Sequence, residues 1–480
     1  MWYVLKFNPK GFFMGISSLG VGSSVLTQDV IDQLKAADES QYVQPLTTKI
    51  SNEKSKSGQL DIVNALMDNL SESTGNIADF GLFNTRTTDV TGSAVEVTAN
   101  EGSDLQDFSI TVNHLATKEI EQSGTFTASD AAVATGNGQL KLDVGSKSFT
   151  IDYTSTMTLT ELKDQINKDA AGTAQASIVQ IGANDFRLFV TAANTGTGQA
   201  IAITDLGDGA GNNTLNTALT TGMSNVQAAQ DASFKYNGLD ITRTSNTVSD
   251  LLSGVTITLK EGTDTNPSTS NVSVKQDVKG IEGKLDSFVS KFNDTITQLN
   301  TMTKSSKDTK ERGVFSSDST IKAMKNTVMT MLGTVGEGAG RLEDYGFSSN
   351  RDGTISFDHS AFETKLKENP DNVQAFFSGG DFTANGTTRT LTGAFDEMKS
   401  ILDRYTKYNA TLDQLKTSYT TRISSLEDQK QLAVDRLTAK YNIMAKRFAA
   451  YDQIINKINS ASSMFVQLAN AQTAAANGKQ

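Results

Sequence analysis

The C-terminal part of the chain carries its most regular hydrophobic pattern, a stripe whose positions recur at steps of three and four. These positions are Leu412, Leu415, Tyr419, Ile423, Leu426, Lys430, Ala433, Leu437, Tyr441, Met444, Phe448, Tyr451, Ile455, Ile458, Ser462 and Phe465. The mean period is close to the 3.5 residues of a left-handed coiled coil, and neither proline nor glycine interrupts the run. The stripe predicts one helix of roughly 80 Å at about 1.5 Å per residue. Such a helix needs a partner, because large exposed apolar seams associate.

The N-terminal region from Thr27 to Gly81 carries a matching pattern in two stretches, which Pro45 separates. The first stripe contains Val30, Ile31, Leu34 and Ala37, and the second contains Leu60, Val63, Met67, Leu70, Ile77 and Phe80. Residues 27–81 hold nine acidic and four basic side chains, whereas residues 404–457 hold five acidic and ten basic ones. Complementary charge selects partners, so we predict that the two ends lie side by side.

The middle of the chain, roughly Thr88 to Asp277, changes to short alternating runs rich in Thr, Ser, Gly, Asn and Val, which are typical of antiparallel sheet. Thr158 and Glu161 have the spacing of a capping box and predict one short helix among these strands. After Asp277, helical periodicity returns over 281–299 and 321–332. The segment 347–358 predicts a hairpin around Asp352-Gly353, and Ala361–Phe377 predicts one further helix.

These patterns predict an α+β multidomain fold, in which terminal helices pair in a long coiled-coil leg and a β-rich head is inserted between them. We expect residues 1–13 to be an atypical N-terminal extension, not a signal peptide. The predicted divisions are a leg of 14–45 and 445–480, a helical stem of 46–87 and 278–444, a head of 88–135 and 215–277, and an inserted head subdomain of 136–214.

Composition excludes several classes of function. A net charge of −11 argues against nucleic acid as the main partner. The absence of cysteine excludes disulfides and thiolate metal sites. His114 and His359 are the two histidines and stand far apart in the sequence, so neither a metal cluster nor a catalytic triad is expected. No apolar run reaches the roughly 18 residues of a membrane span.

Three stretches resemble known chemical motifs but do not meet their requirements. Ser348–His359 lacks the first and last acidic ligands of a calcium loop, so a structural turn is favoured. Gly336–Gly340 lacks the spacing of a dinucleotide-binding loop. The basic side chains Lys440, Lys446, Arg447 and Lys457 favour a solvated face, or one matched to the acidic N-terminal arm. We therefore expect no catalytic residue, no metal and no cofactor.

Several short segments, in order along the chain, resemble the flagellar filament-capping protein family (FliD, hook-associated protein 2). They are Ile16–Ser23, Asp29–Leu34, Pro45-Leu46, the hook-associated IN motif at Phe149–Ile203, Phe234–Arg243, Ser253–Leu259, Gly346–Asp358, Asn369-Pro370 and Tyr441–Ile455. The resemblance covers nearly everything from Met14 onward, and the order of the segments makes it specific.

The resemblance implies a secreted, extracellular homo-oligomer, an annular pentamer at the flagellum tip, that folds and inserts exported flagellin. It also implies a flagellar export chaperone as a partner before secretion. The seam residues predicted to bind the filament or another copy are Val30, Ile31, Leu34, Tyr441, Met444, Phe448, Tyr451, Ile455, Ile458 and Phe465.

Two alternatives remain at this point. The chain could be another flagellar axial protein, such as a flagellin or a junction subunit that shares terminal helices. It could also be chiefly a surface adhesin with the helices as an anchor, although no aromatic platform for a glycan is visible in the sequence.

Overall fold

The computed structural model describes residues 27–333 and 335–477, and it separates into two compact units. The helical unit contains the described residues up to Ala78 and from Leu285 onward, and the head unit contains Asp79–Lys284. This arrangement confirms the predicted fold class, with terminal helices that pair and a β-rich region inserted between them in the sequence.

The elements are numbered in chain order. The helices are α1 (Gln28–Tyr42), α2 (Gln44–Ala78), α3 (Leu159–Asp169), α4 (Val278–Thr303), α5 (Ser319–Met331), α6 (His359–Glu368), α7 (Pro370–Ser378), α8 (Ala394–Thr406) and α9 (Thr411–Asn477). The strands are β1 (Arg86–Thr91), β2 (Val95–Ala99), β3 (Gln106–His114), β4 (Lys118–Gln122), β5 (Gly138–Val144), β6 (Lys147–Tyr153), β7 (Ala174–Gly182), β8 (Asp185–Thr195), β9 (Ile201–Gly207), β10 (Ser224–Gln227), β11 (Ala232–Tyr236), β12 (Leu239–Arg243), β13 (Thr247–Leu252), β14 (Val255–Leu259), β15 (Ser268–Gln276), β16 (Phe347–Ser349), β17 (Ile355–Phe357), β18 (Gly380–Ala384) and β19 (Thr387–Leu391).

Helix α9 is 67 residues long and confirms the uninterrupted helix that the heptad stripe predicts. At the other end of the chain, α1 stops at Tyr42 and α2 starts at Gln44. Pro45 falls in the first turn of α2, where its missing N–H has no helical acceptor and costs little. Phe80 is wrongly assigned to the second apolar stripe, because α2 ends at Ala78 and the Phe80 side chain is 57% exposed.

The prediction of one helix over Ala361–Phe377 is wrong. The structure has two, α6 and α7, which meet at Asn369. Pro370 cannot continue a helix that precedes it, but it is well suited to open the next one. The Asn369 side chain accepts a hydrogen bond from the Asn372 N–H and caps α7. The hairpin around Asp352-Gly353 is present as β16 and β17.

The aromatic core of the helical unit joins helices that are distant in the sequence. Phe288 on α4 lies 4.9 Å from Phe395 on α8, measured between ring centroids, and the two rings meet edge to face. Phe395 in turn stacks on Phe377 of α7 at 5.4 Å. All three side chains have no exposed surface, so they fix the packing of these helices.

One half of the head unit, formed by β1–β3 and β11–β15, consists of two antiparallel sheets around one core. The larger sheet has the strand order β1-β15-β3-β11-β12, and the smaller has β13-β14-β2. Inward residues alternate along the strands, as Phe108, Ile110 and Val112 do on β3. Side chains from both sheets form a single buried cluster, as the alternating sequence pattern predicts.

The second half of the head unit packs α3 on the sheets β10-β4-β8-β7 and β6-β5-β9. The predicted capping box is present, since the Thr158 side chain accepts from the Glu161 N–H and the Glu161 carboxylate accepts from the Thr158 N–H. The core of this half includes Phe126, Leu215 and Leu219, and it therefore reaches beyond the predicted bounds of 136–214 on both sides.

Candidate functional site: the seam of the terminal helices

Helix α1 packs on the middle of α9 through a small apolar cluster. Ile31 and Val43 from the N-terminal side meet Leu437 and Tyr441 of α9, and all four side chains are buried. The half-buried side chains around them are Ala433, Val434, Met444, Ala445 and Phe448. The α9 members Leu437, Tyr441, Met444 and Phe448 follow steps of four, three and four. The cluster therefore lies on the seam that the heptad stripe predicts.

A polar group lies at the edge of this cluster. The Tyr441 hydroxyl lies 2.8 Å from both the Leu34 carbonyl oxygen and Oδ2 of Asp38. Lys440 Nζ lies 2.6 Å from the same carboxylate. The Lys440 ammonium, and after it the Tyr441 hydroxyl, lower the pKa of Asp38, while burial and Asp38 raise the pKa of Tyr441. Asp38 is thus held ionised and fixes the rotation of α1 relative to α9.

Helix α2 continues the pairing along the earlier part of α9. Arg422 places Nε 3.4 Å from Glu53 and its guanidinium 4.6 Å above the Tyr419 ring. The Tyr419 side chain is buried, and its hydroxyl donates to Asp318 at 2.8 Å. Burial, and after it Asp318, raise the pKa of Tyr419, so the hydroxyl stays protonated and remains a donor.

Ion pairs between the two ends carry the charge complementarity that the sequence predicts. Acids of the N-terminal helices meet bases of α9 in Asp38–Lys440, Glu53–Arg422 and Asp61–Lys416. One pair, Lys54–Glu427 at 2.7 Å, has the opposite polarity. Most of these side chains are partly exposed, so the pairs select register and partner more than they add stability.

A cleft beside this seam is a feature that the sequence reading missed. It has a volume of about 660 Å³ and lies where α2 and α9 approach the loop 309–316. Its charged lining consists of Lys49, Lys56, Arg312 and Arg422 with Glu53. No local motif connects these residues, because they come from three separate segments of the chain.

After Phe448, most of the apolar side chains on the seam of α9 are exposed to solvent. Tyr451, Ile458 and Phe465 are 57%, 61% and 74% exposed, although they continue the same heptad positions. Met464, Val466 and Leu468 are also exposed on this part of the helix. An apolar stripe of this length in water favours association. The arrangement can bind a helical partner.

The predicted seam residues therefore fall into two groups. The structure brings Ile31, Tyr441, Met444 and Phe448 together in the α1–α9 cluster, where Val30 is half-buried and Leu34 is 44% exposed. Ile455 is half-buried, and Tyr451, Ile458 and Phe465 face solvent. Their role in binding a partner stays a prediction.

The two histidines lie in different units. His114 Nδ1 is 2.6 Å from Asp264 in the head unit, and His359 Nε2 is 3.2 Å from Asp286 in the helical unit. Within residues 27–333 and 335–477, no group of three or more histidine or acidic side chains is placed to hold a metal ion.

In the part of the chain that the structure describes, no helix is long and apolar enough to cross a membrane. The fold and the seam together define a class: a multidomain α+β protein in which a β-rich head is inserted in the sequence between paired terminal helices, the last of which continues into an exposed seam.

Comparisons with known proteins specify the family. Residues 23–119 match the model of the flagellar hook-associated protein 2 N-terminus, and residues 229–460 match the model of its C-terminus. Together the two models cover more than half of the chain. The chain belongs to the flagellar hook-associated protein 2 (FliD) family.

Individual relatives agree with this assignment. Flagellar hook-associated protein 2 of Campylobacter jejuni is 30% identical over 422 residues, which is 76% of this chain and 64% of that protein. The chain spans 35% of the length of a Helicobacter pylori relative, to which it is 35% identical over 240 residues. The protein of the same name in Escherichia coli K12 is 25% identical over 470 residues, which is 94% of this chain and 97% of that protein.

A solved structure shares the fold. The crystal structure of the D1-D2-D3 domains of the flagellar cap protein FliD from Escherichia coli covers 75% of this chain and 99% of its own, with a TM-score of 0.59 and 22% identity. This likeness supports the arrangement of helical and β-rich parts.

Proposed function

We propose that the chain forms the cap at the distal tip of the bacterial flagellar filament. In this role it promotes the folding and insertion of exported flagellin subunits and prevents their loss from the tip. Family membership favours this role over that of a flagellin-like subunit, a junction subunit or an adhesin. The cap is a secreted, extracellular structure and carries out no catalysis.

The observation that carries the proposal is the exposed seam of α9 after Phe448. A helix that presents Tyr451, Ile458 and Phe465 to solvent requires an apolar partner, and burial of each such side chain contributes roughly 1.5–3 kcal/mol. We assign the filament, or another copy of the chain, as that partner. The proposed divisions follow from this assignment, with residues 14–45 and 445–480 as the leg and the rest of the helical unit as its stem.

The proposed partners are further copies of the chain in an annular oligomer, which we take to be a pentamer, and flagellin at the filament tip. A flagellar export chaperone binds the chain before secretion. Electron microscopy of the purified protein tests self-association, and closed rings or stacked ring pairs are expected. Long filaments would point to an axial subunit, and dispersed single particles would point to an adhesin.

Two substitutions in the exposed seam test the role of the leg. Ile458→Asp and Phe465→Asp together place charge on the seam, where an unpaired charge opposes burial. Because both side chains are exposed, the purified chain should keep its stability within about 0.5 kcal/mol. Cells that carry the variant should secrete unpolymerised flagellin and grow short filaments or none.

The matched control is Ser460→Asp with Gln467→Asp, which adds the same charge to exposed positions on the opposite face of the same helix. Filaments of normal length should form with this control. Filaments of normal length with the seam variant would show that this part of α9 does not bind the filament.

A further inference from the structure

Among the residues that the structure describes, one long sheet edge of the head unit has no neighbouring strand, and the proposed function does not explain this open edge. Strand β7 is the last strand of the sheet β10-β4-β8-β7, and it is nine residues long. It contains neither a charged residue nor proline. Native proteins usually protect such edges with charge, proline, a bulge or a covering segment, because an unprotected edge pairs with other strands.

The other edges of the head sheets show this protection. Strands β1, β2, β6, β9, β12 and β13 each lie at a sheet edge and carry at least one acidic or basic side chain. The remaining edge strand, β10, has only four residues. Among the described head strands, β7 is therefore the long edge without charge.

The first half of β7 is sealed by a side chain from α3. Asn167 donates from Nδ2 to the Ala176 carbonyl oxygen at 2.9 Å, and its Oδ1 accepts from the Ala176 N–H at 2.7 Å. The Asn167 amide thus occupies the place of a neighbouring strand. Because these bonds point away from β8, they also show which residues of β7 present their backbone to the edge.

Backbone direction alternates along an antiparallel strand, so the outward residues after Ala176 are Ile178 and Gln180. The pairing of Ile178 with Leu188 and of Gln180 with Phe186 continues the register without interruption. A bulge follows before Gly182 and ends the regular edge. The open part of the edge is thus short and lies between the Asn167 seal and the bulge.

The side chains beside this open part are apolar and exposed. Val179 lies between the two outward residues and is 43% exposed, and Ile181 is 53% exposed. Val179 belongs to the face of the sheet opposite α3, since Ala174 and Ala176 are buried on the α3 side. An apolar side chain centred on an unpaired backbone segment is what strand addition requires.

We infer that two copies of the chain pair through this edge, with the two β7 strands antiparallel and Val179 opposite Val179 of the other copy. In an antiparallel pair centred on Val179, the outward backbone groups of Ile178 and Gln180 in one copy face those of Gln180 and Ile178 in the other. Ile178 then lies opposite Gln180 of the other copy, and each such pair exchanges two backbone hydrogen bonds. No like charges meet within the strand, because β7 has none.

The contact is short and therefore weak. It contributes four backbone hydrogen bonds and a small apolar area, well below the roughly 1,000 Å² of a stable isolated interface. Residues 79–284 carry 24 acidic and 13 basic side chains, so two head units repel each other at low ionic strength. We expect pairing to increase as salt screens this repulsion. The inference concerns the isolated chain and does not depend on the capping role.

Cysteine cross-linking tests the pairing in the full-length chain, which has no cysteine of its own. Val179→Cys places two thiols across a pair without backbone hydrogen bonds, at a Cβ separation of about 4.5 Å that a disulfide can span. Val226→Cys is the matched control, because Val226 is a 50% exposed valine on the other edge strand of the same sheet. Under mild oxidation, the dimer at position 179 should form about tenfold faster, since pairing raises the effective thiol concentration.

A second variant distinguishes strand pairing from contact between apolar faces. Gln180→Pro removes an outward N–H that the β7–β8 ladder does not use, so it should block the added strand and leave the hairpin intact. Combined with Val179→Cys, it should reduce cross-linking to the rate of the control. Reaction of each thiol with a small reagent, together with circular dichroism, verifies equal accessibility and folding.

Equal rates of disulfide-linked dimer formation at positions 179 and 226 would overturn pairing between copies. An extended segment of another protein would then be the remaining candidate to bind this edge. Fast cross-linking that Gln180→Pro does not slow would also overturn it, because the contact would then not use the strand backbone. Fast cross-linking that the proline suppresses is the expected result.

Discussion

The part of α9 between Thr411 and Phe448 and the part after it share one heptad repeat but differ in what covers them. In the first part, Tyr419, Leu437 and Tyr441 are at least 93% buried against the N-terminal helices and their surroundings. In the second part, Tyr451, Ile458 and Phe465 are more than half exposed. The difference shows that a heptad repeat predicts that a helix has a partner, but not whether the same chain supplies that partner.

The first part of α9 is also held to the N-terminal helices by ion pairs. Lys416, Arg422, Glu427 and Lys440 of α9 form ion pairs with the N-terminal helices, and all four residues lie before Phe448. The covered part of the helix is thus positioned by charge as well as by apolar contact. We interpret the first part as a seam completed within the chain and the second as a seam completed by assembly.

The largest expected effect is a difference in stability between two variants, each with one tyrosine replaced by alanine in a different part of α9. Tyr419→Ala removes a buried ring, a hydroxyl bond to Asp318 and the surface under Arg422. It should destabilise the helical unit by about 3–5 kcal/mol, as large-to-small changes of buried aromatic residues do. Tyr451→Ala removes an exposed ring and should change stability by about 0.5 kcal/mol or less. Denaturant unfolding followed by circular dichroism measures both.

Tyr451→Ala is the control for any effect of Tyr419→Ala on helix propensity, because both changes replace tyrosine by alanine within one helix. A similar loss of stability in the two variants would show that the chain alone also covers the second part of α9.

Amide hydrogen exchange should show the next largest difference. Amide groups between Tyr419 and Tyr441 lie in packed helix, whereas those between Ile454 and Leu468 lie where side chains are exposed. We expect exchange in dilute protein to be about a hundredfold faster in the second segment, since exposed helix opens locally at low free-energy cost. Exchange should slow in this segment at concentrations at which the protein assembles. Equal protection of both segments in the dilute protein would contradict the comparison.

The smallest expected effect is a pH dependence of the contact between α1 and the covered part of α9. The pKa of Asp38 is lowered from its ordinary value of 3.8, first by Lys440 and then by Tyr441. A lowered folded-state pKa means that the stabilisation is fully present above about pH 3.8 and is lost as the pH falls through the lowered value. Exchange protection of α1 should therefore decrease in this acidic range, while the segment 454–468 shows no corresponding step.

Asp38→Asn is the control for this titration, because it keeps the size of the side chain and removes its charge. Protection of α1 in this variant should be lower at neutral pH and should lose that component of its acid dependence. An unchanged acid profile would assign the effect to other carboxylates.

Local patterns were sufficient to predict several elements from the sequence. A heptad repeat without glycine or proline predicts α9, because helix formation depends on nearby residues and their period. The Thr158–Glu161 spacing predicts the start of α3 for the same reason. The break between α6 and α7 is also a local feature, because Asn369-Pro370 ends one helix and begins the next. The prediction of a single helix did not take this signal into account.

What covers each surface was decided only by the tertiary structure. Whether a seam position is buried depends on the length and placement of α1 and α2, which lie several hundred residues away in the sequence. The charged cleft at Arg312 and Arg422 and the seal that Asn167 places on β7 are also contacts between separate elements. The sequence by itself determined the period, the caps and the alternation of this protein, because these arise from neighbouring residues. Only packing determined which part of α9 and which part of β7 remained open, because burial depends on the rest of the fold.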